Sequence, residues 1–170
     1  GILTSCSDYH IYLKLKKNRV EAFESYVDIV SHALENGVIP RCHLEDITRA
    51  DIYGFVIPFV QRLMELSAEA NMPIKIRLCD TMGYGIPYPG CSMPRGIPKL
   101  VHAIKNECGV PSSWLEWHGH NDFHKVLVNT ATAWLHGVSG ANCALLGLGE
   151  RTGNAPLEGM IFEYISLLGN

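Results

Sequence analysis

The chain has 170 residues, 47% hydrophobic and 18% charged, the composition of an ordinary globular domain and not of a disordered or low-complexity segment. Its 14 basic and 17 acidic side chains give a formal charge of −3, and the basic residues are scattered, so the electrostatic footprint of a nucleic-acid binder is missing. No apolar run approaches the roughly 20 residues that cross a bilayer, and no leader pattern opens the chain, so neither nucleic acid nor membrane is an expected partner.

In chain order, the pattern begins with an apolar strand over 2–6 that ends in Ser5-Cys6-Ser7-Asp8. A helix over 16–36 carries Val20, Phe23, Val27, Val30 and Leu34 at helical spacing and stops at Gly37, which suits a C-cap. A strand over 41–47 contains His43, Glu45 and Asp46, and a helix over 50–69 follows with Ile52, Phe55, Phe59, Leu63 and Leu66 on one face. A strand over 73–79 leads into Asp80-Thr81. Residues 83–96 (GYGIPYPGCSMPRG) are too rich in glycine and proline for a helix. They read as a structured loop of the kind that covers a substrate, with a passive connector as the alternative. A helix over 97–108, a strand over 114–118, a helix over 126–137, a strand over 142–148 and a helix over 157–168 complete the pattern.

Strand and helix therefore alternate five times, which specifies an α/β fold with a parallel sheet. The choice lies between an open doubly wound sheet and a closed (β/α)8 TIM barrel. An open sheet gathers function at one switch point, whereas a barrel spreads it over the C-terminal ends of successive strands. Every strand here runs into polar residues, which favours the barrel. Five units make a partial barrel, about strands 4 to 8, so residues 1–170 are expected to be the C-terminal part of one catalytic domain, with three further strands upstream. The chain opens at Gly1 directly on an apolar strand, which fits that expectation. The six cysteines are widely spaced without a CxxC pair and read as reduced, mostly buried thiols, which implies a cytoplasmic setting.

Two constellations carry chemistry. His118 and His120 stand two apart at the polar end of a strand, so both imidazoles face the same way and can reach one metal ion. Two neutral imidazoles suit Zn, Mn, Fe or Co, and a mixed nitrogen and oxygen set with open positions is the pattern of catalytic rather than structural sites. The second constellation is Gly147-Leu148-Gly149-Glu150-Arg151-Thr152-Gly153-Asn154, with Leu157-Glu158 opening the last helix. Its glycines allow close backbone approach to a ligand, Asn154 offers a neutral carbonyl oxygen, and Glu150 can pair with Arg151. The alternative is a simple helix-entry turn.

The strings TSCSDYH, LEDITR, DTMGYG, HGHND and GLGERTGN followed by PLE occur in this order. Together they resemble the 2-isopropylmalate, homocitrate and citramalate synthases, a group within a superfamily of metal-dependent barrels that also holds the 3-hydroxy-3-methylglutaryl-CoA lyases. The resemblance covers nearly the whole chain. It implies that His118, His120 and Asn154 are ligands of a divalent metal (Mn, Mg or Zn), and that Glu45 and Thr81 contact the substrate, with the threonine hydrogen-bonded to its carboxylate. A fourth ligand, an aspartate in an RDG-type motif of the first strand, has no counterpart in this chain. The implied reaction is a Claisen condensation of acetyl-CoA with a 2-oxo acid that releases CoA, performed by a homodimer. Glu45 and Glu150 are the candidate bases on this chain, Arg151 is a candidate for substrate binding, and Asp46 and Arg49 are expected to brace a strand end.

His43 stands where the leucine-pathway synthases of the group carry serine. A larger side chain that can carry a positive charge points there to a more polar or more acidic substrate, and the strings SDYHIYLKLKKNR, RCHLEDITRADIYGF and LEWHGHNDFHK resemble the branch that includes Re-type citrate synthases, which use oxaloacetate. A carbon-carbon lyase is the nearest rival, but its relatives carry a cysteine in the loop that here reads GLGERTGN. A metal hydrolase would place its HxH on the first strand. A catalytically silent fragment is the remaining alternative.

Overall fold

The structure, a computed structural model, describes residues 1–169. Its strands are β1 (Ile2–Ser5), β2 (Arg41–Glu45), β3 (Lys75–Asp80), β4 (Leu115–Gly119), β5 (Gly140–Ala144) and β6 (Ala155–Pro156), and its helices α1 (Arg19–Glu35), α2 (Ile57–Ala70), α3 (Ile97–Glu107), α4 (Val126–Leu135) and α5 (Leu157–Leu168). All neighbouring strands run parallel, and the sheet order is the chain order, β1 to β6. A doubly wound sheet reverses its order at a switch point. This one does not, so the sheet is part of a TIM barrel.

Alternation along the strands sorts residues onto two faces. Cys42 and Leu44 of β2, Ile76 and Leu78 of β3, and Leu115 and Trp117 of β4 are all fully buried beneath the helices. The other face carries Arg41, His43, Glu45, Arg77, Glu116 and His118, each only half-buried, and this is the barrel interior. Between α1 and the start of α2, Phe23, Phe55 and Phe59 meet edge-on and stacked, with Phe23 and Phe59 centroids 5.5 Å apart. Emptying the fully buried Phe59 site would cost about 3–5 kcal/mol.

Local chemistry sets the element boundaries. The helix expected from residue 16 begins at Arg19, because Asn18 and Glu21 form a reciprocal capping box, each side chain accepting from the other's backbone N–H. The helix expected from residue 50 enters through a 3₁₀ turn at Ile47–Arg49 and a wide turn at Ile52–Val56, and α2 proper starts next to Pro58. The strand expected over 142–148 is shifted. β5 occupies Gly140–Ala144, and the chain then turns at Leu145–Gly147, with Leu146 in the left-handed region at φ 53°. A sixth strand of two residues, β6, follows. As expected, the segment 83–96 is ordered without a helix, closed by the parallel bridge between Ile86 and Gly96. All six cysteines are unpaired, and Cys6, Cys42, Cys79 and Cys108 are buried.

Candidate metal and substrate site

The parallel register aligns interior residues in transverse rows. One row runs Ser5, Glu45, Cys79, His118, Asn142 from β1 to β5. Glu45 and His118 are therefore two strands apart in the same row, about 10 Å between backbones. Above it, where the strands end, lie Thr81, His120 and Asn154.

His118 and His120 bring their Nε2 atoms to 3.2 Å, with the rings nearly perpendicular. Two imidazole nitrogens bound to one ion at about 2.0–2.1 Å stand about 2.8–3.4 Å apart for octahedral to tetrahedral angles, so the pair fits a shared cation. Across the sheet, His118 Nδ1 lies 2.7 Å from Asn142 Oδ1. An amide oxygen only accepts, which places the proton on Nδ1 and leaves the Nε2 lone pair free for a ligand. Burial, foremost, lowers the pKa of both imidazoles, so they are neutral donors at neutral pH.

Asn154 joins them through the backbone, as residues His120 and Asn154 form an isolated bridge. Its Nδ2 donates to the Gly119 carbonyl at 2.9 Å, which leaves Oδ1 as the free atom. Gly149 makes room for that oxygen, since a Cβ there would overlap it. His118 and His120 thus meet at their Nε2 atoms, and the backbone bridge sets Asn154 beside His120. Among the described residues no cluster of three or more His, Cys, Asp or Glu side chains converges.

Glu45 is gripped by three neighbours. Ser5 Oγ donates to its Oε2 at 2.5 Å, Lys14 Nζ donates at 3.0 and 3.1 Å, and His10 Nδ1 stands 3.4 Å away. Burial pushes its carboxyl up, but the Ser5 hydroxyl and Lys14 outweigh it, so Glu45 titrates below the usual glutamate range and is ionised at neutral pH. Thr81 Oγ1 accepts from the Asp46 amide at 2.8 Å and has only a long 3.4 Å contact to the Cys79 carbonyl for its own proton. That hydroxyl can turn to a ligand at little cost.

Asp46 is fully buried, bonded to Ser7 and paired with Arg49, and braces the end of β2 as its sequence suggested. Asp80, also fully buried, accepts from Thr48 at 2.7 Å and from the Gly85 amide at 3.0 Å, and so anchors the 83–96 loop. Burial pushes its carboxyl up to about 6. Gly83 in that loop sits at φ 69°, and its Cα side approaches the His120 carbonyl where a Cβ would stand 2.9 Å away, so only glycine brings loop and HxH strand together.

Arg151 is engaged within the protein. It donates to the Asp122 carboxylate at 2.8 and 3.1 Å and to the Thr81 carbonyl at 2.5 Å, tying the ends of β3 and β4 to the loop after β5. Glu150 contacts Arg151 at 3.3 Å and is otherwise exposed. His43 lies one interior row below Glu45 and is not the cation that its residue type allowed. Burial first, and then Arg77, push its pKa down to about 4, so the ring is neutral. Asn142, His10, Lys14, Arg77 and Glu116 were not singled out by the sequence; the register places Asn142 beside His118 and Arg77 beside His43.

The model of the family described as HMGL-like matches residues 1–166. The chain is 64% identical over 169 residues to a citrate (Re)-synthase of Syntrophus aciditrophicus, covering 99% of this chain and 27% of that protein. It is 59% identical to a citrate (Re)-synthase of Clostridium kluyveri, covering all of this chain and 38% of the relative. It therefore spans between about a quarter and two-fifths of the length of these curated relatives. The crystal structure of hydroxymethylglutaryl-CoA lyase from Pseudomonas aeruginosa shares its fold, with a TM-score of 0.72 at 19% identity, over 97% of this chain and 54% of that one. With nearly its whole length matched by the family model, the chain belongs to the HMGL-like family.

Proposed function

We propose that this chain forms part of the active site of an acyltransferase that condenses acetyl-CoA with a 2-oxo acid, oxaloacetate by preference, and releases CoA. The observation that carries the reading is the 3.2 Å approach of the two Nε2 atoms, with Asn154 bridged to His120 beside them. The names of the two citrate (Re)-synthase relatives support the choice of acid.

His118, His120 and Asn154 would hold a divalent cation, Mn, Mg or Zn. Such an ion supplies Lewis-acid polarisation of a keto oxygen and neutralises the charge that develops there. Asn142 fixes the His118 tautomer, and Gly149 leaves room for Asn154. The Thr81 hydroxyl donates to the carboxylate of the oxo acid. Glu45, ionised and in the same row as His118, is the acceptor for the proton that leaves the thioester methyl group. The methyl carbon then bonds to the keto carbon, the keto oxygen takes a proton, and water cleaves the thioester to free the CoA thiol. Glu150 is the second candidate base, carried on the exposed turn after β5. Arg151 acts through Asp122 and Thr81, holding the strand ends that present His120 and Thr81.

The test is CoA thiol release by the full-length protein, with oxaloacetate and acetyl-CoA, before and after metal removal. Release that stops with chelation and returns with Mn or Mg supports the reading, and release indifferent to metal overturns it.

A further inference from the structure

The interior row beneath the imidazoles carries charges that the reaction above does not use. His43, Arg77 and Glu116 are lateral neighbours on β2, β3 and β4, one strand alternation below Glu45, Cys79 and His118, a step of roughly 6.6–6.8 Å. Glu116 is fully occupied. Its Oε2 accepts from Arg77 Nε at 2.9 Å and Nη2 at 2.8 Å, and its Oε1 lies 2.9 Å from Arg41 Nη2. Two guanidinium groups therefore share one carboxylate, and a positive charge is left over. Lys75, on the same side of β3 by alternation, adds to that excess. Two polar atoms of the cluster, Arg41 Nε and His43 Nε2, are buried without a hydrogen-bond partner among the described residues. Half-buried positive charge with unused donors is a site prepared for an anion.

We propose that this row selects the acid: Arg77, with His43 beside it, takes the second carboxylate of a dicarboxylic 2-oxo acid whose keto end lies at His118 and His120 above. The inference rests on the condensation reading and names the residues that give it its substrate class. A short diacid bridges the two rows, with the long arginine side chain making up the remaining reach. Arg77 spends Nε and Nη2 on Glu116, so Nη1 is free for the ligand. Neutral His43 can turn one ring N–H to the ligand. A branched-chain acid would instead press apolar carbons against the guanidinium, removing its water and returning no partner.

The experiment uses the full-length protein with Arg77→Met, Arg77→Lys and the charge-balanced pair Arg77→Met with Glu116→Leu, which leaves no stranded carboxylate. Calorimetric binding of malate and of 2-hydroxyisovalerate, with Mn present, is measured beside kcat and KM for oxaloacetate and 2-oxoisovalerate. Arg77→Met and the paired variant should raise the malate Kd and the oxaloacetate KM at least thirtyfold and change both values for the branched acid less than threefold, with Arg77→Lys between. Equal losses on both acids, unchanged malate binding, or a wild-type protein that binds no malate would overturn the proposal. A wild-type protein that releases no CoA refutes the condensation reading alone, and the malate titrations still decide the role of Arg77.

Discussion

Asn142 Oδ1 reaches across from β5 to stand 2.7 Å from His118 Nδ1. The bond holds the ring so that Nε2 faces its counterpart on His120, and loss of such an orienting partner typically costs 10–100-fold in metal affinity. Asn142→Leu should therefore weaken Mn or Zn binding by about that factor in calorimetry on the metal-free protein, and Asn142→Asp should retain it. Unchanged affinity in Asn142→Leu would show that the contact orients nothing.

Gly149 is a spatial requirement of the same site. A Cβ there overlaps Asn154 Oδ1 and lies 3.3 Å from the Asn154 amide, whereas nothing lies within 4 Å of one on Gly90. Overpacking of about 1–3 kcal/mol at Gly149→Ala should appear as a roughly fivefold to 150-fold loss of metal affinity. Gly90→Ala should bind metal as the wild type does, and equal behaviour of the two variants would refute the role of Asn154.

The two candidate bases separate by environment. Glu45 is held in the His118 row by Ser5, Lys14 and His10, and Glu150 is exposed. Loss of a positioned acid–base group costs about 10²–10⁴-fold in rate, so Glu45→Gln should lower kcat into that range. Glu150→Gln should lower it less than about tenfold, because an exposed side chain is not positioned. The opposite ranking would transfer the role to Glu150.

Stability should fall in acid through His43. Its pKa is about 4 in the folded chain against 6.5 in the unfolded one, so between those values the unfolded chain binds the proton that the folded chain refuses. As pH falls from 6.5 to 4, about 1–2 kcal/mol of folding free energy should be lost at this site, a figure reduced for partial exposure. His43→Gln should flatten the curve of unfolding free energy against pH by that amount. An unaltered curve would show that His43 titrates normally.

Much of this was legible in the sequence because the informative residues sit on regular elements. The HxH pair needed only strand parity, and the polar ends of successive strands favoured a barrel over a switch-point sheet. The end of the chain was harder. Leu145, Leu146 and Leu148 form an apolar run that reads as strand, yet they are 70%, 77% and 71% exposed, and the chain turns there through a left-handed leucine. β6 has two residues, one of them proline, below any pattern signal. Asn142 stands among small residues, and its importance lies in the register with His118 and not in its own sequence context. The neutrality of His43 arises from burial and from Arg77 on the next strand, neither of which a single segment displays.

The most direct test of the central claim is thiol release from acetyl-CoA by the full-length protein across oxaloacetate, 2-oxoglutarate, 2-oxoisovalerate and pyruvate, with and without Mn or Mg, for the wild type and for His118→Ala and His120→Ala. The account expects metal-dependent release, fastest with oxaloacetate, that both substitutions abolish. Release with none of the four acids, or release that survives chelation and loss of either imidazole, would contradict it.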